Sequence, residues 1–106
     1  MPTRLEQLLE LLESQPDEPF ILFALAKEYE THNDVDEALA YYEKTLQKDP
    51  DYLGVYFHRG QLLAESGEPQ LAIECFDLGI ARARATGDHH ALSELMNART
   101  NASLDL

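Results

Sequence analysis

The residues best able to do chemistry in this chain of 106 are few: Asp88-His89-His90, the isolated His32 and His58, and one cysteine, Cys75. A carboxylate beside two imidazoles is a set of metal-ligating groups, and a metal-dependent hydrolase could be built on Asp88-His89-His90. Such a site needs three or four ligands converging from different parts of a fold, and nothing in the flanking sequence supplies them. Asp88 is also placed to begin a helix, where its oxygen would accept from free backbone N–H groups. The cap is the better explanation. His32 and His58 lack the positioned partner that a general base requires. Cys75 has no second cysteine or base beside it and reads as a small, semi-buried residue rather than a reactive thiol. No glycine-rich phosphate loop and no nucleophile elbow occurs. Asp34-Val35-Asp36-Glu37 lacks the glycine and the closing glutamate of a calcium loop. The expectation is a non-catalytic chain with no cofactor and no metal site.

Composition narrows the partners. Eight Lys+Arg against 20 Asp+Glu leave a net charge of −12. That balance argues against nucleic acid, whose phosphates call for clustered Lys and Arg. No apolar run approaches the roughly 18 residues of a membrane span. Met1 to Glu13 carries one Arg and three Glu among its leucines, the wrong charge for a signal or transit peptide. A cytoplasmic protein with no membrane partner is expected, without disulfides, and of one domain by length. The carboxylates are spread through every helix rather than gathered into one patch. A spread excess fits a salty interior better than a dedicated basic docking site.

The elements that would position these residues repeat. Pro16 and Pro50 stand 34 residues apart. At the same period Leu5 meets Leu39 and Ile73, Leu8 meets Tyr42 and Phe76, and Leu12 meets Leu46 and Ile80. Within each copy the spacing is i, i+3, i+7, one stripe of a helix. Between these segments Leu22 meets Tyr56, Phe23 meets Phe57, Ala26 meets Gly60, and Tyr29 meets Leu63. The unit is helix, turn, helix, turn, and the pattern predicts six helices near 3–14, 18–32, 35–48, 52–66, 69–85 and 88–101. Pro19 and Pro69 suit a first helical turn. Asp34, Asp51 and Asp88 suit N-caps, and Gly67 and Gly87 suit the left-handed residue after a helix. Gly60 and Gly79, inside helices where glycine is costly, predict close approach of a neighbouring backbone. Residues 102–106 lack a pattern and are expected to fray.

This period and these columns resemble the tetratricopeptide repeat, with its W-x2-L-G-x2-Y, A-x3-F and P positions. The matches are Leu22, Leu25, Ala26, Tyr29, Ala38, Tyr42 and Pro50 in 19–52, then Tyr56, Gly60, Leu63, Ala72, Phe76 and Ile80 in 53–86. Arg59 departs from an apolar position and Arg84 from the closing proline, so the fifth helix is expected to run longer. The chain is similar to small stand-alone bacterial members, with Ser93-Glu94-Leu95 in its last helix. The resemblance implies an all-α, right-handed α-α superhelix of helix pairs. It would form a single domain over 1–101: a half-repeat 3–16, repeats 19–52 and 53–86, and a capping helix 88–101.

The resemblance further implies a protein-interaction scaffold, its partner a peptide segment or helix in a concave groove lined by the first helix of each pair. The positions that usually touch ligand fall on Phe20, Phe23, Lys27, Glu30 and Thr31, then on Phe57, His58, Gln61 and Glu65. These phenylalanines could instead be core, covered by the first or last helix. A carboxylate clamp is not expected: Lys27 is present, but Phe23, Phe57, His58 and Gln61 occupy the other places. Two alternatives stay open. One is self-assembly into a homo-oligomer through exposed solenoid ends, suggested by Leu5, Leu8, Leu9, Leu11 and Leu12 spread around the first helix. The other is the metal-dependent hydrolase at Asp88-His89-His90.

Overall fold

A computed structural model describes all 106 residues. The chain forms α1 (Arg4–Ser14), α2 (Pro19–Thr31), α3 (Val35–Lys48), α4 (Leu53–Glu65), α5 (Pro69–Thr86) and α6 (His89–Ser103), with no strand. The fold is all-α, as the periodicity predicts, and the boundaries fall within two residues of the expected ones.

Local chemistry accounts for the helix ends. Pro19 and Pro69 open α2 and α5, where the missing N–H costs nothing. Asp34 caps α3 by accepting from the Glu37 N–H at 3.4 Å, and Asp88 caps α6 by accepting from the Ala91 N–H at 3.0 Å. Between α2 and α3 the chain turns through Asn33 at φ 60°, and 34 residues on it turns through Gly67 at φ 80°. Both residue types tolerate the left-handed region. The closing bonds repeat too: Asp34 N–H donates to Tyr29 O and Glu68 N–H to Leu63 O, each at 2.9 Å. These six-to-one bonds satisfy carbonyls that the helix leaves open.

Several expectations need correction. Asp51 does not cap α4, which begins after Tyr52 with no side-chain cap. Its Oδ1 instead accepts from Arg82 Nε and Nη2, both at 2.7 Å. The unpatterned stretch 102–106 does not all fray: α6 runs through Ser103, and Ala102 is buried because it completes the apolar row Leu95, Ala98, Ala102. Gly60 and Gly79 do pack closely, but against side chains rather than a neighbouring backbone. A Cβ on Gly60 would strike the Phe76 ring, with Cδ1 at 2.7 Å, and one on Gly79 would meet Tyr56 Cβ at 2.6 Å. Cys75 is fully rather than partly buried, its Sγ donating to Tyr56 O at 3.5 Å.

Contacts gather into two compact units, Met1–Pro50 and Asp51–Leu106. In repeat chains each element touches mainly its neighbours, so contacts follow the helix pairs. In the first unit α2 packs on α1 and α3. Its core holds Leu8, Ile21, Leu22, Leu25, Ala26, Ala38, Tyr41 and Tyr42. In the second, α5 packs on α4 and α6, which also touch each other. Val55, Tyr56, Leu63, Ala72, Phe76, Ile80, Ala83, Leu95 and Ala98 form that core. The column Leu8, Tyr42, Phe76 is buried in every copy, as are Ala38 and Ala72 at the positions where paired helices need small residues. Each large side chain so buried stabilises by about 1.5–3 kcal/mol.

The cations are largely spoken for. Arg4 pairs with Glu28, Lys48 with Asp17, Arg82 with Asp51 and Arg99 with Asp77. The remaining carboxylates repel one another across the surface, and added salt screens them, the Debye length falling from about 10 Å at 0.1 M to about 3 Å at 1 M. The melting temperature is therefore expected to climb with sodium chloride, most of the rise coming at low concentration. A flat or falling profile would remove self-repulsion as a cost of folding here.

Candidate functional site

The residues singled out from the repeat register stand on α2 in the first unit and on α4 in the second. Each helix has one side committed to its core: Leu22, Leu25 and Ala26 on α2, and Tyr56, Gly60 and Leu63 on α4. The candidate residues occupy the remaining arc, because i, i+3/i+4 and i+7 share a face.

On α2, Phe20 is 67 % exposed in the first turn. Phe23 is half-buried, its ring centroid 6.1 Å from that of Tyr42 at an interplanar angle of 49°. Lys27 is half-buried one turn further on. Glu30 is tied down: its Oε1 accepts from the Tyr42 hydroxyl at 2.7 Å. That bond gives Glu30 a structural duty, holding α2 to α3, which the register did not reveal. Thr31 is exposed, and its hydroxyl turns back to donate to Lys27 O at 3.0 Å.

On α4, Phe57 and His58 are half-buried neighbours, ring centroids 5.6 Å apart and nearly perpendicular. Gln61 is half-buried and Glu65 exposed. Both line a depression of about 230 Å³ that is completed by Ala64, by Asn101 and Ala102 at the end of α6, and by Asp105 just beyond it. Asn101 and Asp105 escape the sequence reading because the tail lacks an obvious pattern. The row Leu95, Ala98, Ala102 is the signal that α6 continues. None of Phe20, Phe23 and Phe57 is among the fully buried residues.

A second cluster lies at the far end of α2. Tyr29 and Tyr41 stack with ring centroids 5.4 Å apart and 14° between planes, and Lys44 Nζ sits 4.5 Å from the Tyr41 centroid. Burial foremost, then Glu37 and Asp34, raises the Tyr29 phenol above its usual pKa. Burial foremost, then Tyr29 and Glu37, does the same for Tyr41. Tyr42 is raised furthest, by burial, by its bond to Glu30 and by that carboxylate's charge. Glu28, nearby, holds Arg4 at 3.8 Å and His32 at 3.3 Å.

Asp88 spends a carboxylate oxygen on its helix, and His89 and His90 are exposed. No group of three or more His, Cys, Asp or Glu side chains is placed to hold a metal ion. No helix is long and apolar enough to cross a membrane.

A tetratricopeptide repeat family model matches residues 31–95. Among solved structures, a tetratricopeptide repeat domain protein from Salinibacter ruber is 39 % identical, with a TM-score of 0.76 over 82 % of this chain and 88 % of that one. A protein from Bordetella parapertussis is 27 % identical, with a TM-score of 0.84 over 99 % of this chain and 91 % of that one. The TPR2B domain of yeast Sti1, solved in complex with pHsp70, has a TM-score of 0.88 over 96 % of this chain and 82 % of that one. At 18 % identity that likeness is one of fold alone. No curated protein sequence matches the chain.

Proposed function

The chain belongs to the tetratricopeptide repeat family, and on that premise we propose that it is a non-catalytic scaffold whose α2 and α4 faces take up a peptide segment or helix of another protein. One observation carries this reading. The register positions Phe20, Phe23, Lys27, Glu30 and Thr31 on α2, and Phe57, His58, Gln61 and Glu65 on α4, all keep solvent access, whereas Ile21, Leu22, Leu25 and Ala26 on α2 and Val55, Tyr56, Gly60, Leu62 and Leu63 on α4 are buried. Aromatic side chains, phenylalanine among them, are enriched at the cores of protein interfaces.

The test is the double variant Phe23→Ala with Phe57→Ser, compared with the wild type in capture of partners from native cell extract. Loss of the captured protein with an intact helical spectrum is the expected result. Phe→Ala in a true core costs about 3–5 kcal/mol, so an unfolded double variant would return these rings to the core and overturn the reading. Undiminished capture would overturn it as well.

Self-assembly remains a second reading, favoured by α1. Only Leu8 on that helix is buried, Leu5, Leu9 and Leu12 are half-buried, and Leu11 is 47 % exposed. Light scattering across a concentration series decides it: a constant monomer mass removes this reading.

A further inference from the structure

The depression on the second unit gives the scaffold reading, on which it rests, a specific chemistry. Gln61 and Glu65 are four residues apart on α4, and Asn101 in the last turn of α6 and Asp105 just past its end are also four apart. With Ala64 and Ala102 they line an open depression of about 230 Å³. All four polar residues carry a carbonyl or carboxylate oxygen that can accept, and no Lys, Arg or His lines the space. Gln61 and Glu65 are reached independently from the repeat register, so sequence position and cavity geometry meet at the same two residues.

We propose that this depression receives an arginine side chain of the partner peptide. A guanidinium is a planar fork of five donors with no acceptor, which suits two carboxylates and two amide oxygens around a small space. At about 230 Å³ the depression has room for several waters, hence for the fork and part of its stem, and the two alanines leave that stem an apolar contact. The alternatives fit worse. A carboxylate ligand would meet the charges of Glu65 and Asp105, and an apolar side chain would strip water from four polar groups without replacing it. Glu65 and Asp105 are exposed, so the pairing selects and orients the partner more than it tightens the complex.

The experiment titrates the full chain with N-acetyl-arginine amide and, separately, with N-acetyl-citrulline amide, which has nearly the same shape and no charge. Backbone and side-chain amide resonances are followed by NMR. The arginine probe is expected to give saturable shifts centred on the Gln61 and Asn101 side-chain amides, which the citrulline probe does not give. The variant Glu65→Gln with Asp105→Asn, both at exposed positions, is expected to lose them while its other resonances stay in place. Equal shifts with citrulline, shifts scattered over the whole acidic surface, or an unchanged response in the variant would each overturn the assignment. Any of these, beside loss of partner capture by the phenylalanine double variant, would remove the arginine subsite and leave the scaffold standing.

Discussion

Gly79→Ala is expected to lower stability by about 1–3 kcal/mol, or roughly 5–15 °C in melting temperature, although the same change in an open helix is stabilising. Alanine is favoured over glycine in a helix interior by about 1 kcal/mol. At Gly79 that gain is overwhelmed. The new methyl would lie 2.6 Å from Tyr56 Cβ, 2.9 Å from Tyr56 Cγ and 3.1 Å from Leu95 Cδ1. Tyr56 Cβ is anchored to the α4 backbone, so relief requires α4 and α5 to move apart. Gly60→Ala is expected to destabilise as well, but for a different reason. Its methyl would enter the Phe76 ring, the far end of a side chain that could swing aside in open space but is here fully buried. Gly54 supplies the control: it is exposed, an added methyl would find nothing within 4 Å, and Gly54→Ala is expected to be neutral or stabilising. Thermal melts of the three variants check the pattern. Equal melting temperatures for all three would show that α5 does not rest on these glycines.

The second large effect is alkaline unfolding. The Tyr42 ring is fully buried, and its folded pKa is pushed well above the ordinary tyrosine value. A phenol is neutral below its pKa, and the unfolded chain ionises first, near pH 10. Tyr42 therefore contributes its full stabilisation below about pH 10, and that contribution is lost as pH rises toward the folded value. The slope for this one group is about 1.4 kcal/mol per pH unit. Tyr29 and Tyr41 are shifted the same way and steepen the fall. Tyrosinate absorbance and helical signal are expected to change together above pH 10. Tyr42→Phe is expected to cost about 1 kcal/mol at neutral pH, through the lost bond to Glu30, and to flatten the alkaline decline. A Tyr42→Phe profile parallel to the wild type above pH 10 would show that this hydroxyl is not what ionisation disrupts.

Most of the fold could be read from the chain because its signals act over a turn or two of helix. The row Leu8, Tyr42, Phe76 predicts one buried column, and each member is buried. Pro19 and Pro69 mark helix starts by lacking an N–H, and Asp34 and Asp88 mark them by supplying an oxygen. Asn33 is a weaker signal than Gly67, yet both take the same left-handed turn one repeat apart. The candidate faces on α2 and α4 follow from the same period, since a stripe that faces the core leaves the opposite stripe outside it.

Tertiary structure alone decided which side chains meet across helices. Asp51 looks like a cap from its neighbours in sequence, yet Arg82, 31 residues away, claims it. Glu30 looks like a free groove carboxylate until α3 brings Tyr42 within 2.7 Å. Gly60 and Gly79 signal close packing, but only the helix crossings say that Phe76 and Tyr56 fill the space. The end of α6 matters most for the proposed arginine subsite. Asn101 and Asp105 lie far from Gln61 and Glu65 in sequence, and only the packing of α6 beside α4 gathers all four around one depression. Periodicity and caps depend on residues a few positions apart, so they are written locally. A cross-helix partner depends on crossing angle, register and rotamer, which the chain acquires only when its apolar faces are packed together.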